Sequence, residues 1–355
     1  MRTWTGILKL ALPVALALAG GGCATAPVGD APRAAPPRVD AALAARILAL
    51  DPERISEGDV RDTLARGPTP QIIGLHGGIY PVHLAMTDFA EFLIGMGYPE
   101  AKVRHPGDGR YSHSPYESSE ALAGLVAWYY ERDGVRPMLV GHSQGGMQAV
   151  KVLHTLNGAF GDRVRVWNPL ADAAEDRVTI VDPLTGGTRP VLGLSVAYAT
   201  AVGAGGAAFL LPNQWSMAGR LRTIPDTVDE FTGFFLEVDL WAWNAPGSIE
   251  AQPYRQNGAA TVRNVSLPAN YNHVFVPVTS HLAGDPGMRS WINAYDPRRR
   301  DALPPPDGSS DNVLWAADVW HSIKKHWCLE AQRLVRAQRA GRATAGTVTA
   351  PARVQ

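Results

Sequence analysis

Short apolar runs alternate with longer segments of helical periodicity in the first half of the chain. Residues 71–75 and 137–140 are short, rich in apolar side chains and followed by helical patterns, which is typical of strands buried in a parallel sheet. The predicted order is strand 71–75, helix 81–97, strand 101–104, helix 118–132, strand 137–140 and helix 147–154. This alternation predicts an α/β fold with a mostly parallel central sheet and helices on both faces.

The pattern is less regular in the rest of the chain. Further strands are predicted at 194–200, 231–243, 262–267 and 272–278. Further helices are predicted at 40–50, 56–65 and 315–334. Residues 201–230 break the alternation with a glycine-rich stretch and then apolar and aromatic side chains. They predict either a cap inserted over the sheet or extra helices packed on the core.

A strand, a tight turn and a helix meet at residues 141–146, whose sequence is GHSQGG. Such a turn holds Ser143 in a strained backbone conformation and pushes its hydroxyl out of the sheet. A Cβ at Gly141 or Gly145 would collide across so tight a turn, which explains the two glycines. The free N–H groups at the start of the following helix point to the same place, where an oxyanion could form.

A second glycine-rich turn, at residues 76–78, has the sequence His-Gly-Gly and follows the first predicted strand. Glycine there allows a backbone N–H to approach a bound oxygen without a side chain in the way. Two glycines would also suit an ordinary strand-to-helix turn. This turn lies about one β-α-β-α unit before GHSQGG. That spacing favours a site shared by the two turns.

The two turns, in this order and each between a strand and a helix, resemble those of the α/β-hydrolase superfamily in its lipase- and esterase-like branch. The resemblance covers residues 71–297 and implies the α/β-hydrolase fold, with Ser143 as nucleophile. It also implies that the backbone amides of Gln144 and Gly78 form the oxyanion hole. Its motifs are specific for the superfamily and do not indicate a substrate.

The family's order of nucleophile, acid and histidine directs attention to residues after Ser143. His281 is the predicted catalytic histidine, because it comes just past the carboxyl end of the predicted strand 272–278. His273 begins that predicted strand, at the opposite end from the expected site. His273 is therefore expected to be structural.

Asp239 is the predicted acid of the triad. It lies in the apolar and aromatic run 231–243, where a carboxylate is costly unless it is paired. Asp182 is the alternative, since it follows an apolar run, although an aspartate before a Pro-Leu-Thr-Gly-Gly turn is also typical of turn capping. No aspartate lies in or directly after the run 262–267, where we expect the family's acid, so both candidates stay open.

These residues together predict cleavage of a carboxylic ester by a serine hydrolase, through an acyl-enzyme intermediate and without a cofactor or a metal. The substrate is expected to be a small-molecule or lipid-like ester. An acyltransferase or an amidase would use the same triad. A non-catalytic exported lipoprotein that keeps a hydrolase fold is the alternative outside enzymes, and intact motifs argue against it.

The N-terminus has the pattern of an export signal. Two positive charges, Arg2 and Lys9, precede an apolar stretch at 10–19 that is too short to span a bilayer. Three glycines and Cys23 follow and resemble a bacterial lipoprotein processing site, with lipidation at Cys23 and membrane anchoring. Because Gly20 replaces the usual large apolar residue, ordinary cleavage giving a periplasmic or secreted protein stays open.

Composition sets the domain organisation and excludes some partners. The predicted segments are a signal peptide at 1–22, an Ala/Pro-rich tether at 23–39, one domain at 40–340 and a flexible tail at 341–355. With 33 basic and 33 acidic residues the net charge is zero and no basic run is present, so nucleic acid is not an expected partner. Two cysteines are too few for a disulfide framework.

Overall fold

A six-stranded parallel sheet is the central element of the protein in the computed structural model. The structure describes residues 36, 38–206, 209, 211–236, 239, 241–242, 252–302 and 311–348. The predicted signal peptide, Cys23, most of the predicted tether and the end of the tail lie outside these residues. Among the described helices, none combines the length and the apolar character needed to cross a membrane.

The helices and strands occupy the following ranges. The helices are α1 Ala41–Ala49, α2 Glu57–Asp62, α3 Tyr80–Gly95, α4 Ser119–Asp133, α5 Gln144–Leu156, α6 Ser280–Gly284, α7 Pro286–Ala294 and α8 Val313–Val348. The strands are β1 Ile72–Leu75, β2 Ser112–His113, β3 Met138–His142, β4 Trp167–Asn168, β5 Ala173–Ala174, β6 Thr179–Val181, β7 Thr188–Pro190, β8 Val196–Val202, β9 Thr223–Ile224, β10 Val228–Leu236, β11 Arg255–Gln256 and β12 Thr261–Leu267.

The strand order of the sheet is β2-β1-β3-β8-β10-β12, and every neighbouring pair is parallel. The chain first moves outward from β1 to β2 and then returns to add β3 on the other side of β1. A parallel sheet opens a crevice at the carboxyl ends of its strands where the winding reverses in this way. The topology therefore places the loops after β1 and β3 on the two sides of one crevice.

Two apolar clusters cover the two faces of the sheet. One cluster joins Ile72 and Val140 to helices α3 and α8, and the other joins Ile73 and Leu139 to helices α4 and α5. Neighbouring residues of a strand point to opposite faces. Each strand therefore gives one of its two adjacent apolar residues to each cluster. All five residues of β3 are buried, which explains why this strand is a continuous apolar run in the sequence.

The edge strand next to β1 differs from the prediction. Residues 101–104 do not form a strand, and Glu100–Lys102 is instead a single 3-10 turn. The edge strand is β2, whose two polar residues pair with Gly74 and Leu75. A two-residue strand that is held by backbone hydrogen bonds carries no apolar pattern, so periodicity could not find it.

Helix α8 packs along the sheet through three fully buried tryptophans, Trp315, Trp320 and Trp327. Cys328 is also fully buried, and burial raises the pKa of its thiol to about 12. The thiol therefore stays protonated at physiological pH and packs as an apolar side chain.

A buried carboxylate ties helix α8 to the sheet. Glu230 in β10 accepts hydrogen bonds from His326 at 3.2 Å, Lys325 at 2.9 Å and Arg263 at 3.0 Å. Burial by itself would raise the pKa of Glu230. The hydrogen bond from His326 and the charges of all three partners outweigh burial and hold this pKa well below its ordinary value of 4.5.

We expect Glu230→Gln to lower the free energy of unfolding by about 3 kcal/mol at pH 7, because it removes the buried carboxylate that His326, Lys325 and Arg263 share. A depressed folded-state pKa gives stability that is present above pH 4.5 and lost as the pH falls below it. The difference between wild type and variant should therefore shrink by about 1 kcal/mol between pH 7 and pH 4. Urea unfolding at both pH values measures this difference.

Glu100→Gln is the matched control, since Glu100 pairs with Arg104 at 2.6 Å but both side chains are exposed. Exposed ion pairs contribute little to stability, so this variant should unfold like the wild type. Equal effects of the two substitutions would contradict the role given to Glu230.

Candidate functional site

Five loops meet at the carboxyl ends of the sheet strands. They follow β1, β3, β8, β10 and β12 and carry, in chain order, the residues Gly78, Ser143, Gly203, Asp239 and His273. Parallel strands end at the same edge, so residues far apart in the sequence come together here. The topology brings the glycine turn after β1 and the serine turn after β3 to the same end of the sheet.

The turn between β3 and α5 holds Ser143 in a strained conformation, with φ of 56° and ψ of −124°. Its N–H donates to the carbonyl of Val202 in β8 at 2.8 Å, which fixes the turn to the sheet. A Cβ on Gly141 would lie 2.5 Å from the carbonyl oxygen of Gly145. One on Gly145 would lie 2.1 Å from that of Leu75. The expected strain and the need for both glycines are confirmed.

A chain of two hydrogen bonds links the serine to a carboxylate through an imidazole. Nε2 of His273 lies 2.9 Å from Oγ of Ser143, and Nδ1 of His273 lies 2.7 Å from Oδ2 of Asp239. A carboxylate only accepts hydrogen bonds, so Nδ1 carries the proton and Nε2 is free to accept from the serine hydroxyl. The other carboxylate oxygen of Asp239 accepts from the N–H of Ala242 at 2.9 Å. Both His273 and Asp239 are buried.

The histidine that contacts Ser143 is His273. The prediction that His281 would occupy this position is wrong. Residues 272–278 form hydrogen-bonded turns rather than a strand, with Asn272 accepting from the N–H groups of Phe275 and Val276. The last of the described strands is β12, and His273 follows its end by six residues. His281 lies on α6 and is exposed.

The physical reason for this error is that apolar alternation at 272–278 does not come from a strand. Val276 is buried in a turn that packs on the core, whereas Phe275 is 55% exposed. Strand β12, at the edge of the sheet opposite β2, is largely polar and partly exposed. Its apolar pattern is therefore weaker than that of residues 272–278. The signal that could have found His273 was its place in the first loop after 262–267.

The two candidate acids occupy different places. Asp239, the preferred candidate, contacts His273 as described. Asp182 accepts from the backbone N–H groups of Leu184 and Thr185 at 2.9 and 3.3 Å and from the hydroxyl of Tyr130. Asp182 therefore caps the turn between β6 and β7, the alternative role that its sequence context indicated.

The glycine turn after β1 packs directly on the serine turn. A Cβ on Gly77 would lie 2.9 Å from the Cβ of Ser143, and one on Gly78 would lie 1.9 Å from Oε1 of Gln144. Nδ1 of His76 lies 2.7 Å from the carbonyl oxygen of Gly77 and holds the turn in shape. Gln144 starts α5, so its backbone N–H is one of the unpaired donors of a helix N-terminus.

A cavity of about 230 Å³ lies above Ser143 and His273. Its walls are mostly apolar, and two large rings, Trp241 and Tyr116, stand 62% and 56% exposed beside it. Two cavities of about 370 and 400 Å³ lie elsewhere on the described surface, but the serine does not line them. The chemistry, rather than the size, identifies the smaller cavity as the candidate site.

The described residues contain no group of three or more histidine, cysteine, aspartate or glutamate side chains arranged to hold a metal ion. The observed arrangement of Ser143, His273 and Asp239 can transfer a proton. An imidazole that accepts from a serine hydroxyl and donates to a carboxylate can take the serine proton when the oxygen attacks an electrophile.

Comparison with known proteins adds little. No protein-family model and no curated protein matches the chain. A solved structure described as "RedJ with PEG molecule bound in the active site" is similar at 17% identity, with a TM-score of 0.30. That match covers 65% of this chain and 92% of the other.

Gly203 was not singled out by the sequence, although it borders the imidazole. Its φ is +63°, and a Cβ there would lie 2.9 Å from both Cε1 and Nδ1 of His273 and 3.3 Å from Oδ2 of Asp239. The absence of a side chain at the end of β8 therefore leaves room for the histidine ring. A glycine just after a buried strand is the signal that marks such a close approach.

We expect Gly203→Ala to displace the His273 ring and to lower the free energy of unfolding by more than the ~1 kcal/mol that a left-handed alanine costs by itself. Gly193→Ala is the control, because Gly193 has a φ of +79° and nothing within 4 Å of its Cβ position. Urea unfolding and a crystal structure of each variant measure the effect. Equal destabilisation by both variants would mean that the ring is not confined by Gly203.

Proposed function

We propose that this protein is a serine hydrolase of the α/β-hydrolase superfamily that cleaves a carboxylic ester. The observation that carries the proposal is the placement of His273 between Ser143 and Asp239, at 2.9 and 2.7 Å. Strain at Ser143 and the glycine turn beside it support the same conclusion, because both keep the hydroxyl exposed to an open cavity.

The proposed reaction begins when Oγ of Ser143 attacks the ester carbonyl and His273 Nε2 accepts its proton. The tetrahedral intermediate collapses, the alcohol leaves with the proton from His273, and an acyl-enzyme remains. Water then attacks the acyl group and gives a proton to the same nitrogen. The second intermediate releases the acid as Ser143 regains its proton. Asp239 holds Nδ1–H in place and stabilises the imidazolium in both steps.

Backbone N–H groups would stabilise the oxyanion. Gln144 starts α5, the turn containing Gly78 packs against the Gln144 side chain, and both residues line the cavity. Two such donors are typical of acyl-transfer sites and contribute about 3 kcal/mol each to transition-state stabilisation. The backbone amides of Gln144 and Gly78 are the two donors that the resemblance implied. The closeness of the two turns supports this assignment.

The order of the elements supports membership of the superfamily. The glycine turn follows β1, the serine follows β3, the acid follows β10 and the histidine follows β12. This is the nucleophile–acid–histidine order that the resemblance implied. Asp239 follows β10, the strand that pairs with β12. The acid of the proposed triad therefore comes one strand earlier than expected, which accounts for the lack of an aspartate directly after residues 262–267.

The cavity favours esters with an apolar group next to the scissile bond. Ile79, Val82 and Val274 line it together with the Trp241 and Tyr116 rings. Apolar and aromatic walls with a few convergent polar groups are typical of small-molecule sites. A panel of p-nitrophenyl esters of rising acyl length, run beside amides and an alcohol acceptor, would identify the preferred reaction.

We propose further that the protein is exported and anchored by a lipid on Cys23. Pro36, the first of the described residues, lies at the end of the sheet away from Ser143. Pro36 packs against Gly134, at 3.0 Å from its Cβ position. Gly134 ends α4 just before β3 begins, so Pro36 lies at the amino edge of the sheet. Ser143 lies at the opposite edge, at the end of β3.

We expect Ser143→Ala and His273→Ala each to lower kcat/KM for a simple ester by about 10⁴-fold, because the groups of a triad act as a unit. Both proteins should remain folded, since each change removes side-chain atoms that face the cavity. Initial rates, corrected for hydrolysis in buffer, and thermal unfolding are the measurements.

His281→Ala and Asp182→Asn are the controls for the histidine and the acid. His281→Ala should act like the wild type, whereas Asp239→Asn should lower kcat with little change in KM because the acid orients the imidazole. Asp182→Asn should affect stability alone. A normal His273→Ala enzyme, or an inactive Asp182→Asn enzyme with a normal Asp239→Asn enzyme, would refute the assignments.

We expect cells that express the wild-type protein to incorporate labelled palmitate into it and Cys23→Ser to remain unlabelled. A lipid on this residue holds a protein at a membrane only together with a second acyl chain or signal, so fractionation should follow the label. Cys328→Ser is the control and should be labelled like the wild type, since Cys328 is buried. Unlabelled wild-type protein would rule out the anchor and leave export to be tested separately.

A further inference from the structure

His142, the last residue of β3, lies next to the serine but points to the loop that carries His273. Its Nε2 lies 2.6 Å from the backbone carbonyl oxygen of His273, across 131 residues of sequence. The two rings are 5.3 Å apart between centroids and inclined at 45°. His142 is completely buried. The bond therefore joins the strand that carries Ser143 directly to the residue that contacts its hydroxyl.

The donor in this bond is a neutral imidazole. Burial, followed by the nearby charge of His273, lowers the pKa of His142 to about 3. The ring is therefore uncharged at any physiological pH. Since a carbonyl only accepts hydrogen bonds, the single ring proton of His142 is on Nε2. Its Nδ1 is buried and has no hydrogen-bond partner among the described residues.

Apart from the His142 bond, the described hydrogen bonds that hold the backbone and flanks of the loop around His273 run to α3 and to the start of α8, through Asp88, Leu314 and Asn312. Nδ2 of Asn312, just before α8, donates to the carbonyls of Phe275 and Val278 at 2.9 and 3.1 Å and fixes the later part of the loop. Asn272 bonds within the loop. Among the hydrogen bonds of His273 itself, two run from its ring, and the His142 bond holds its backbone.

We propose that His142 is a positioning residue that holds the His273 backbone, so that the His273 ring stays in line between Ser143 and Asp239. This inference rests on the proposed function of Ser143 and His273. Without the bond, a buried carbonyl would lose its only donor in the described structure and the loop would move to find another. A small shift of the ring is enough to lengthen the Ser143 contact.

An uncharged donor suits this position better than a cation would. His273 becomes an imidazolium each time it takes the serine proton, and a positive charge at a ring 5.3 Å away would oppose that step. The neutral imidazole of His142 supplies the N–H without adding charge. This explains why a costly buried histidine, with one nitrogen unpaired, stands directly before the nucleophile.

The test compares His142→Phe, which keeps the ring but has no donor, with His142→Gln, which keeps an N–H donor. We expect His142→Phe to lower kcat about tenfold or more while KM changes by less than about threefold, because orientation is lost rather than binding. His142→Gln should recover most of the loss. Ester hydrolysis and thermal unfolding are measured for each.

His154→Phe is the matched control. His154 is also buried on the elements around Ser143, at the far end of α5, and its Nε2 lies 2.8 Å from the carbonyl of Thr223. Loss of this bond should lower the melting temperature without changing kcat. A loss of kcat in His142→Phe no larger than in His154→Phe would overturn the proposal, as would wild-type kcat in His142→Phe.

Proton NMR gives a readout that does not depend on activity. The Nδ1–H of His273 bonded to Asp239 should give a strongly downfield resonance that is weakened or lost in His142→Phe and present in His142→Gln and His154→Phe. In wild-type protein, the nitrogen shifts of His142 should show a neutral ring with Nε2–H from pH 5 to pH 8. Titration of His142 in that range, or an unchanged resonance in His142→Phe, would refute the proposal.

The rate and the resonance together distinguish a failure of the proposed function from a failure of the positioning role of His142. If Ser143→Ala kept full activity, the proposed function would fail, whereas the resonance would still report whether His142 positions His273. If Ser143→Ala were inactive and His142→Phe were normal in both rate and resonance, the positioning role alone would fail. Should His142→Phe not fold, the wild-type titration and His142→Gln still decide.

Discussion

The close backbone approach of β1, β3 and α5 is the constraint on which the rest of the structure depends. The start of α5 contacts the end of β1 so closely that a Cβ on Gly145 would lie 2.1 Å from the Leu75 carbonyl oxygen. The glycine turn after β1 contacts Ser143 in the same way. Because these elements approach without larger side chains between them, the glycine turn and the serine turn lie against each other and share one cavity.

Around this junction, the parts of the molecule are held by polar contacts that the core protects. The Glu230 cluster fixes α8 against β10, and Asn312 at the start of α8 fixes the loop after β12. His142 then connects that loop to β3. A buried hydrogen bond is costly to leave unmade, so each of these contacts fixes the relative position of the elements that it joins. The long C-terminal helix thereby takes part in placing His273.

Much of the fold could be predicted because its central strands are buried on both faces. Strand β3 and helices α3, α4 and α5 were predicted within a few residues, since continuous apolar runs and helical spacing mark such elements. Edge strands lack that signal. The two-residue β2 was missed, and the polar β12 was taken as the last strand but one, which moved the expected histidine from His273 to His281.

The sequence by itself determined the serine turn and the glycine turn and reduced the acid to two candidates, Asp239 and Asp182, because strained turns and a carboxylate in or after an apolar run leave local patterns. It did not determine which histidine would face Ser143. That choice depends on where β12 ends and how the following loop folds back on α8, and these are contacts between residues far apart in the chain. His273 and His281 have similar sequence surroundings, and only the tertiary packing buries one beside Asp239 and exposes the other on α6.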